Sequence, residues 1–141
     1  MTFMSDKIFI DTNIWLYALI ESDDEFEKHH QAKQCIANIE NIIISTQVVN
    51  EVCVNLLRKG KKDMPFIAQF ISEFTMAYQT VAQITEDLIT ASTLRADYHV
   101  SYWDSLMIAS ALRADCHILL SEDMQDGLTI YNRLRIQNPL K

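Results

Sequence analysis

The sequence predicts an α/β fold: a short, mostly parallel central sheet flanked by helices. Three observations carry that expectation. Short apolar runs rich in β-branched residues alternate with longer stretches of helical spacing, the pattern of strand–helix–strand units. Two glycines and two prolines in 141 residues, with 49% hydrophobic and 22% charged positions, describe a compact chain with much helix. No internal repeat and no linker-like segment interrupts it, so residues 1–141 read as one domain with a single core.

The elements follow in order. Lys7–Ile10 is a β-branched and aromatic run ended by Asp11-Thr12-Asn13, and reads as the first strand. Ile14–Ile20 continues apolar and begins the first helix, and Ser22–Ile39, with its charged and histidine residues, reads as a partly exposed helix. Ile42-Ile43-Ile44 is a second short strand closed by Ser45-Thr46. Between Gln47 and Lys59, residues Val48, Val49, Val52, Cys53, Leu56 and Leu57 follow helical spacing. Arg58 and Lys59 suit the negative end of that helix, and Gly60 stops it. Pro65 opens a helix through Phe66, Phe70, Ile71 and Phe74. Gln79–Ile84 reads as a third strand, Thr85 to about Tyr98 as a helix, and Trp103–Ala114 as a strongly helical segment. His117–Leu120 forms a fourth strand and Leu134–Ile136 a fifth.

Bulk properties narrow the function classes. No apolar run approaches the ~18–20 residues of a membrane span. Met1–Lys7 carries one basic residue and no cleavage pattern, and Asp11 breaks the apolar stretch behind it, which argues against a signal peptide. Cys35, Cys53 and Cys116, odd in number and widely spaced, fit buried reduced thiols in a cytoplasm rather than a disulfide frame or zinc site. A formal net charge of −7 argues against a general nucleic-acid coat protein. It does not exclude a nuclease whose carboxylates hold metal ions.

Four acids are the candidate chemistry: Asp11, Glu51, Asp104 and Asp123. In parallel sheets, ligands sit beyond the carboxyl ends of the strands. Asp11 directly follows the first strand there, and Asp123 follows the fourth after two intervening residues. Each acid also has an ordinary role open to it. Asp11 suits a turn or helix N-cap. Glu51 lies roughly 140° from the centre of its helix's apolar stripe, which fits a solvated surface as well as a site. Asp104 completes a Ser101-x-x-Asp104 capping pattern. Asp123 could serve a turn, and Glu122 or Asp126 could take its place as ligand. As a set, however, carboxylates from separate loops suit hard divalent cations while leaving positions for water, and that chemistry hydrolyses phosphodiesters without a serine or histidine nucleophile.

The same segments resemble the PIN-domain proteins, and most closely the VapC-type toxins of type II toxin–antitoxin pairs. Ile8-Phe9-Ile10-Asp11-Thr12-Asn13 is similar to the family's opening strand and first acid, and Val49-Asn50-Glu51-Val52 to its second. Tyr102-Trp103-Asp104-Ser105-Leu106-Met107 resembles the helix of the third acid, and Leu119-Leu120-Ser121-Glu122-Asp123-Met124, followed by Gly127, the fourth-acid segment. The ending from Leu134 to Leu140 matches one VapC subgroup, which commonly has Phe where Leu140 stands. The resemblance implies a PIN-like three-layer sandwich and an endoribonuclease dependent on Mg²⁺ or Mn²⁺. It implies a homodimer and a VapB-type antitoxin whose C-terminal segment blocks the cleft. It also implies that Thr12 or Asn13, Thr46 and Ser121 orient the acids or waters.

For RNA contact the sequence offers one dense basic run, Arg58, Lys59, Lys61 and Lys62, which also suits a solvated helix end, with Arg113, Arg133 and Arg135 elsewhere. Trp15, Tyr17 and Trp103 could stack on a base, with core packing the expected role. His29-His30 with Glu25 and Glu27 reads as a surface helix rather than a metal site. A receiver-type phosphoacceptor domain is the rival of similar acid layout. It fails because Thr12 follows Asp11, no suitable Asp follows the second or third strand, and no Lys follows Leu120. The remaining alternative is a catalytically inactive PIN fold acting as an RNA- or protein-binding module.

Overall fold

A computed structural model describes residues 6–141. The reading of the N-terminus as free of a signal peptide falls mainly on residues 1–5, outside the described ones. Among the described residues six strands form one sheet: β1 (Lys7–Ile10), β2 (Asn41–Ser45), β3 (Gln79–Val81), β4 (Ile118–Leu120), β5 (Thr129–Ile130) and β6 (Leu134–Gln137). Their order is β3-β2-β1-β4-β6-β5, with every pairing parallel except β5–β6. The helices are α1 (Thr12–Leu19), α2 (Phe26–Ala37), α3 (Thr46–Arg58), α4 (Met64–Ala77), α5 (Thr85–Asp97) and α6 (Tyr102–Arg113).

The continuous apolar strands explain the layers. Ile8, Phe9 and Ile10 are all buried, as are Ile42–Ile44 and Ile118–Leu120, so the central strands bury both faces and need helices on each. Helices α1–α4 pack against one another in series, while α5 and α6 pack as a pair. Crossovers from β1 to β2 to β3 run one way along the sheet, and the crossover from β3 to β4 returns past β1. Right-handed connections therefore put the two helix groups on opposite faces. The reversal of direction falls between β1 and β4, where Leu120 O accepts from Asp11 N at 2.9 Å. It is a topological switch point, the usual ligand crevice of such sheets.

Besides shifts of a residue at several element ends, the structure differs from the sequence reading in four places. Helix α1 starts at Thr12 rather than Ile14 because Asp11 is its N-cap. The segment Ser22–Ile39 divides into a 3₁₀ turn, Asp23–Glu25, and α2. The third strand ends at Val81, not Ile84: Ala82 O accepts from Arg113 Nη2 at 2.6 Å, and Ile84 N donates to Asp87 Oδ2 at 3.1 Å to start α5. Strand β5 was not anticipated. It is two residues long, and its hairpin turn places Tyr131 and Asn132 at φ 50° and 55° without a glycine to signal it. Gly60 ends α3 as expected, and a Cβ there would meet Leu56 O at 2.9 Å. All three cysteines are free; Cys53 and Cys116 are buried and Cys35 half-buried.

Candidate active site

The crevice at the switch point collects the ends of four elements. Asp11, beyond β1, is buried at 6% exposure, and its Oδ1 accepts from Thr12 N at 2.7 Å as the cap of α1. Its Oδ2 accepts from Ser121 Oγ, beyond β4, at 2.7 Å, and from Asn13 Nδ2 at 3.3 Å. Burial pushes the Asp11 carboxyl up to about 7 against the pull of the Ser121 and Thr12 bonds, and the nearby charges of Asp104 and Glu51 push the same way. The residue that caps α1 is thus also the one buried at the head of the crevice.

Glu51 is half-buried on the second turn of α3. Thr12 Oγ1 donates to its Oε1 at 2.6 Å and Gln47 Nε2 to its Oε2 at 3.1 Å, so each carboxylate oxygen is fixed. Asp104 sits in the first turn of α6, where Ser101 Oγ accepts from Asp104 N at 3.1 Å. Burial raises its carboxyl above the ordinary range, and Asp123 and Glu51 add to the rise by repulsion. Each of the four acids therefore feels at least one of the others.

The three contenders for the fourth position separate by their partners. Glu122 accepts from Tyr17 Oη at 2.6 Å and pairs with Lys28 Nζ at 2.6 Å, which holds its carboxyl below the usual range. Asp126 accepts from Asn138 N at 2.9 Å and pairs with Lys141 Nζ at 3.1 Å. Among the described residues the exposed Asp123 carboxylate takes neither kind of bond and its charge acts on Asp104, while Asp123 N is anchored on Ser121 Oγ at 3.2 Å.

Of the supporting residues, Thr12, Asn13 and Ser121 touch the acids directly. Thr46 does not: its Oγ1 accepts from Gln83 N at 3.1 Å and ties the start of α3 to the β3–α5 loop. Gln47 was missed by the sequence reading. Besides bonding Glu51 it donates to Trp103 O at 3.2 Å, joining α3 to α6 beside Asp104. The only signal for it was its position four residues before Glu51, on the same helical face.

Among the described residues no group of three or more His, Cys, Asp or Glu stands close enough together to hold a metal ion. The donor set nevertheless fits a hard cation. It is all oxygen, burial and to a smaller extent the neighbouring carboxylates raise Asp11 and Asp104, and Mg²⁺ is commonly held through one or two carboxylates with several waters. His29, by contrast, is occupied: its Nδ1 lies 2.8 Å from Tyr17 O.

The basic residues divide in the same way. Arg58, Lys59, Lys61 and Lys62 are all exposed, and Lys59 shares a cleft of about 160 Å³ with Asn13 and Tyr17. Arg113 is locked onto buried Asp87, and Arg133 bonds Leu112 O and Asp115. Trp15 packs in the core against Phe74 and Tyr78, whereas Trp103 is 63% exposed beside Glu51.

Comparison with known proteins places the fold. A toxin–antitoxin complex from Klebsiella pneumoniae is similar over 94% of this chain and 98% of that one, at 19% identity and TM-score 0.68. VapC20 of Mycobacterium tuberculosis, described as a Sarcin-Ricin loop cleaving toxin, is similar over 83% and 92%, at 18% identity and TM-score 0.67. VapBC2 from Rickettsia felis, bound to a promoter DNA fragment, covers 93% and 97% at 17% identity and TM-score 0.61. Among curated proteins no sequence matches significantly. The PIN domain family model matches residues 8–125, from the first buried strand to just beyond the fourth acid. With a mostly parallel six-stranded sheet between helices and the acids at its switch point, the chain belongs to the PIN-domain family.

Proposed function

We propose that this protein is a metal-dependent endoribonuclease that cleaves RNA phosphodiester bonds, and the toxin of a toxin–antitoxin pair. The observation that carries the reading is Asp11: a buried carboxylate with three hydrogen-bond donors, further carboxylates around it and, among the described residues, no cationic side chain bonded to it. Asp11, Glu51, Asp104 and Asp123 would hold Mg²⁺ or Mn²⁺. A bound ion supplies Lewis acidity, activation of water and neutralisation of charge developing on the phosphate. The chain's own residues supply position. Thr12 and Gln47 aim Glu51, Ser121 and Asn13 aim Asp11, and the Ser121 hydroxyl fixes the backbone that carries Asp123. Lys59 stands close enough to Asn13 to meet an RNA phosphate near the site, with Arg58, Lys61 and Lys62 extending the positive surface.

A VapB-type antitoxin and a second copy of the chain are the proposed partners. The structural neighbours include VapBC complexes, and exposed apolar side chains on α4 (Met64, Phe66, Met76) and α5 (Leu88, Ile89) offer surface for such contacts. No helix among the described residues is long and apolar enough to cross a membrane. A cytoplasmic location remains part of the proposal.

The test is cleavage of RNA in Mn²⁺ by the parent protein and by Asp11→Asn and Asp104→Asn. Each variant should fold, shown by an unchanged circular dichroism spectrum, and lose at least about a hundredfold in rate. Full activity in either would sink the assignment. The second reading, an inactive PIN fold used as an RNA- or protein-binding module, draws on the lack, among the described residues, of a group close enough together to hold a metal ion. It predicts no Mn²⁺-dependent cleavage by the parent protein.

A further inference from the structure

Beside the acids lies a cleft of about 400 Å³ lined by Thr46, Gln47, Asn50, Glu51, Gln83 and Trp103. Its volume falls within the range of small-ligand sites, ~300–1,000 Å³. Its chemistry is specific: three side-chain amides, one indole, and the carboxylate of Glu51. We propose that this cleft is a base-binding subsite for an unpaired nucleotide of single-stranded RNA, with Trp103 as the stacking platform and the Asn50 and Gln83 amides facing the base edge. The proposal rests on the nuclease reading for its orientation, since Glu51 belongs to both the cleft and the acid set.

Three features support it. First, Trp103 is 63% exposed, although it adjoins the well-buried run Ser105–Leu112 on α6. An indole left in water at a cleft mouth exposes apolar surface that a stacked base would cover, and stacking of this kind is how proteins seize unpaired bases. Second, the amides divide the work. Gln47 is committed to Glu51, to Trp103 O and to Gln83, fixing the floor of the cleft. The Asn50 side chain is exposed and takes no hydrogen bond among the described residues, and the Gln83 side chain bonds there only through Nε2, leaving its amide oxygen open. A side-chain amide offers a donor and an acceptor side by side, matching the edges of nucleobases. Third, Trp103 meets Tyr102 edge-on at 5.0 Å between centroids, and the Arg95 guanidinium lies over the Tyr102 ring at 5.4 Å. Arg95 forms no ion pair among the described residues, so this aromatic strip carries a cation suited to the adjoining phosphate.

Because Trp103 precedes Asp104 and Gln47 precedes Glu51 by one helical turn, a base in the cleft would lie next to the phosphate presented to the acids. Double-stranded RNA keeps its bases stacked and cannot fill it. Only unpaired or splayed nucleotides fit.

The protein's two tryptophans make a direct test, because Trp15 is 3% exposed and Trp103 is open. A single-stranded oligoribonucleotide of mixed sequence is titrated into the protein in Ca²⁺ buffer, with indole emission as the signal. The expected result is saturable quenching that disappears in Trp103→Leu and is shifted to higher RNA concentration in Asn50→Ala, whereas the duplex of the same sequence quenches little. In Mn²⁺, Trp103→Leu should raise KM for single-stranded RNA roughly tenfold, with kcat and Mn²⁺ affinity less affected. Emission unchanged by RNA, equal quenching by duplex, or an unaltered KM in Trp103→Leu overturns the subsite. Quenching without any cleavage would refute the nuclease reading and keep the subsite; cleavage without quenching would do the reverse.

Discussion

Two aspartates lie buried in this protein, and they have been treated oppositely. Asp87, 1% exposed near the start of α5, accepts from Ile84 N, from Arg113 Nε at 2.8 Å and Nη2 at 3.1 Å, and from Ser110 Oγ. Asp11, 6% exposed at the start of α1, likewise accepts a backbone N–H and a serine hydroxyl. Where Asp87 has a bidentate guanidinium, however, Asp11 has the charges of Glu51 and Asp104. A buried charge must be neutralised or compensated. Asp87 is compensated from within the chain, and it joins α5 to α6 at a structural seam. Asp11 is not, so its carboxyl rises to about 7, and its compensation has to come from a proton or an external cation.

The largest effect should come from breaking the compensated pair. Arg113→Met leaves Asp87 buried without its counter-ion and should cost about 3–5 kcal/mol in urea denaturation. A loss below about 1 kcal/mol would mean that the pair is dispensable and that the contrast with Asp11 is overstated.

Next comes the pH response of the uncompensated member. The folded-state value of Asp11 lies above its unfolded value of 3.8, so the folded state binds the extra proton between the two. Stability from this group is therefore fully present below about pH 4 and is lost as pH rises towards 7. In metal-free protein the loss is at most about 4 kcal/mol, from a rise of about three pH units at about 1.4 kcal/mol each. Asp11→Asn should remove that slope, and Mn²⁺ at pH 7 should stabilise the parent protein more than the variant. Parallel pH curves for the two metal-free proteins would refute the account.

A finer test concerns Ser121, whose hydroxyl serves both Asp11 and the backbone of Asp123. Ser121→Ala should weaken Mn²⁺ binding about 10–100-fold by calorimetry while changing thermal stability less than Arg113→Met does. Unchanged Mn²⁺ affinity would reduce Ser121 to a packing residue.

The two aspartates also show which parts of the site were readable. Asp11 was legible because a polar Asp-Thr-Asn stop after Ile8–Ile10 is local, and a strand end in an α/β sheet is where ligands gather. Asp87 gave no local sign of its role, since its partner Arg113 lies 26 residues away on another helix. The same distance made Arg113 resemble a free cation for RNA. Gln47 escaped notice because an uncharged residue on a helix gives no sign of bonding Glu51, Trp103 and Gln83 together.

By itself the sequence determined the strand and helix alternation and the order of the four acids. Hydrophobic spacing and turn residues act over a few neighbours, and those features are local. Tertiary structure alone decided that β4 lies beside β1, which brings Ser121 onto Asp11 across 110 residues of chain. It also decided that Glu122 and Asp126 are spent on Lys28 and Lys141 while the charge of Asp123 acts on Asp104. Which acid keeps its charge free depends on the cation that packing brings within reach, and no local pattern encodes that partner.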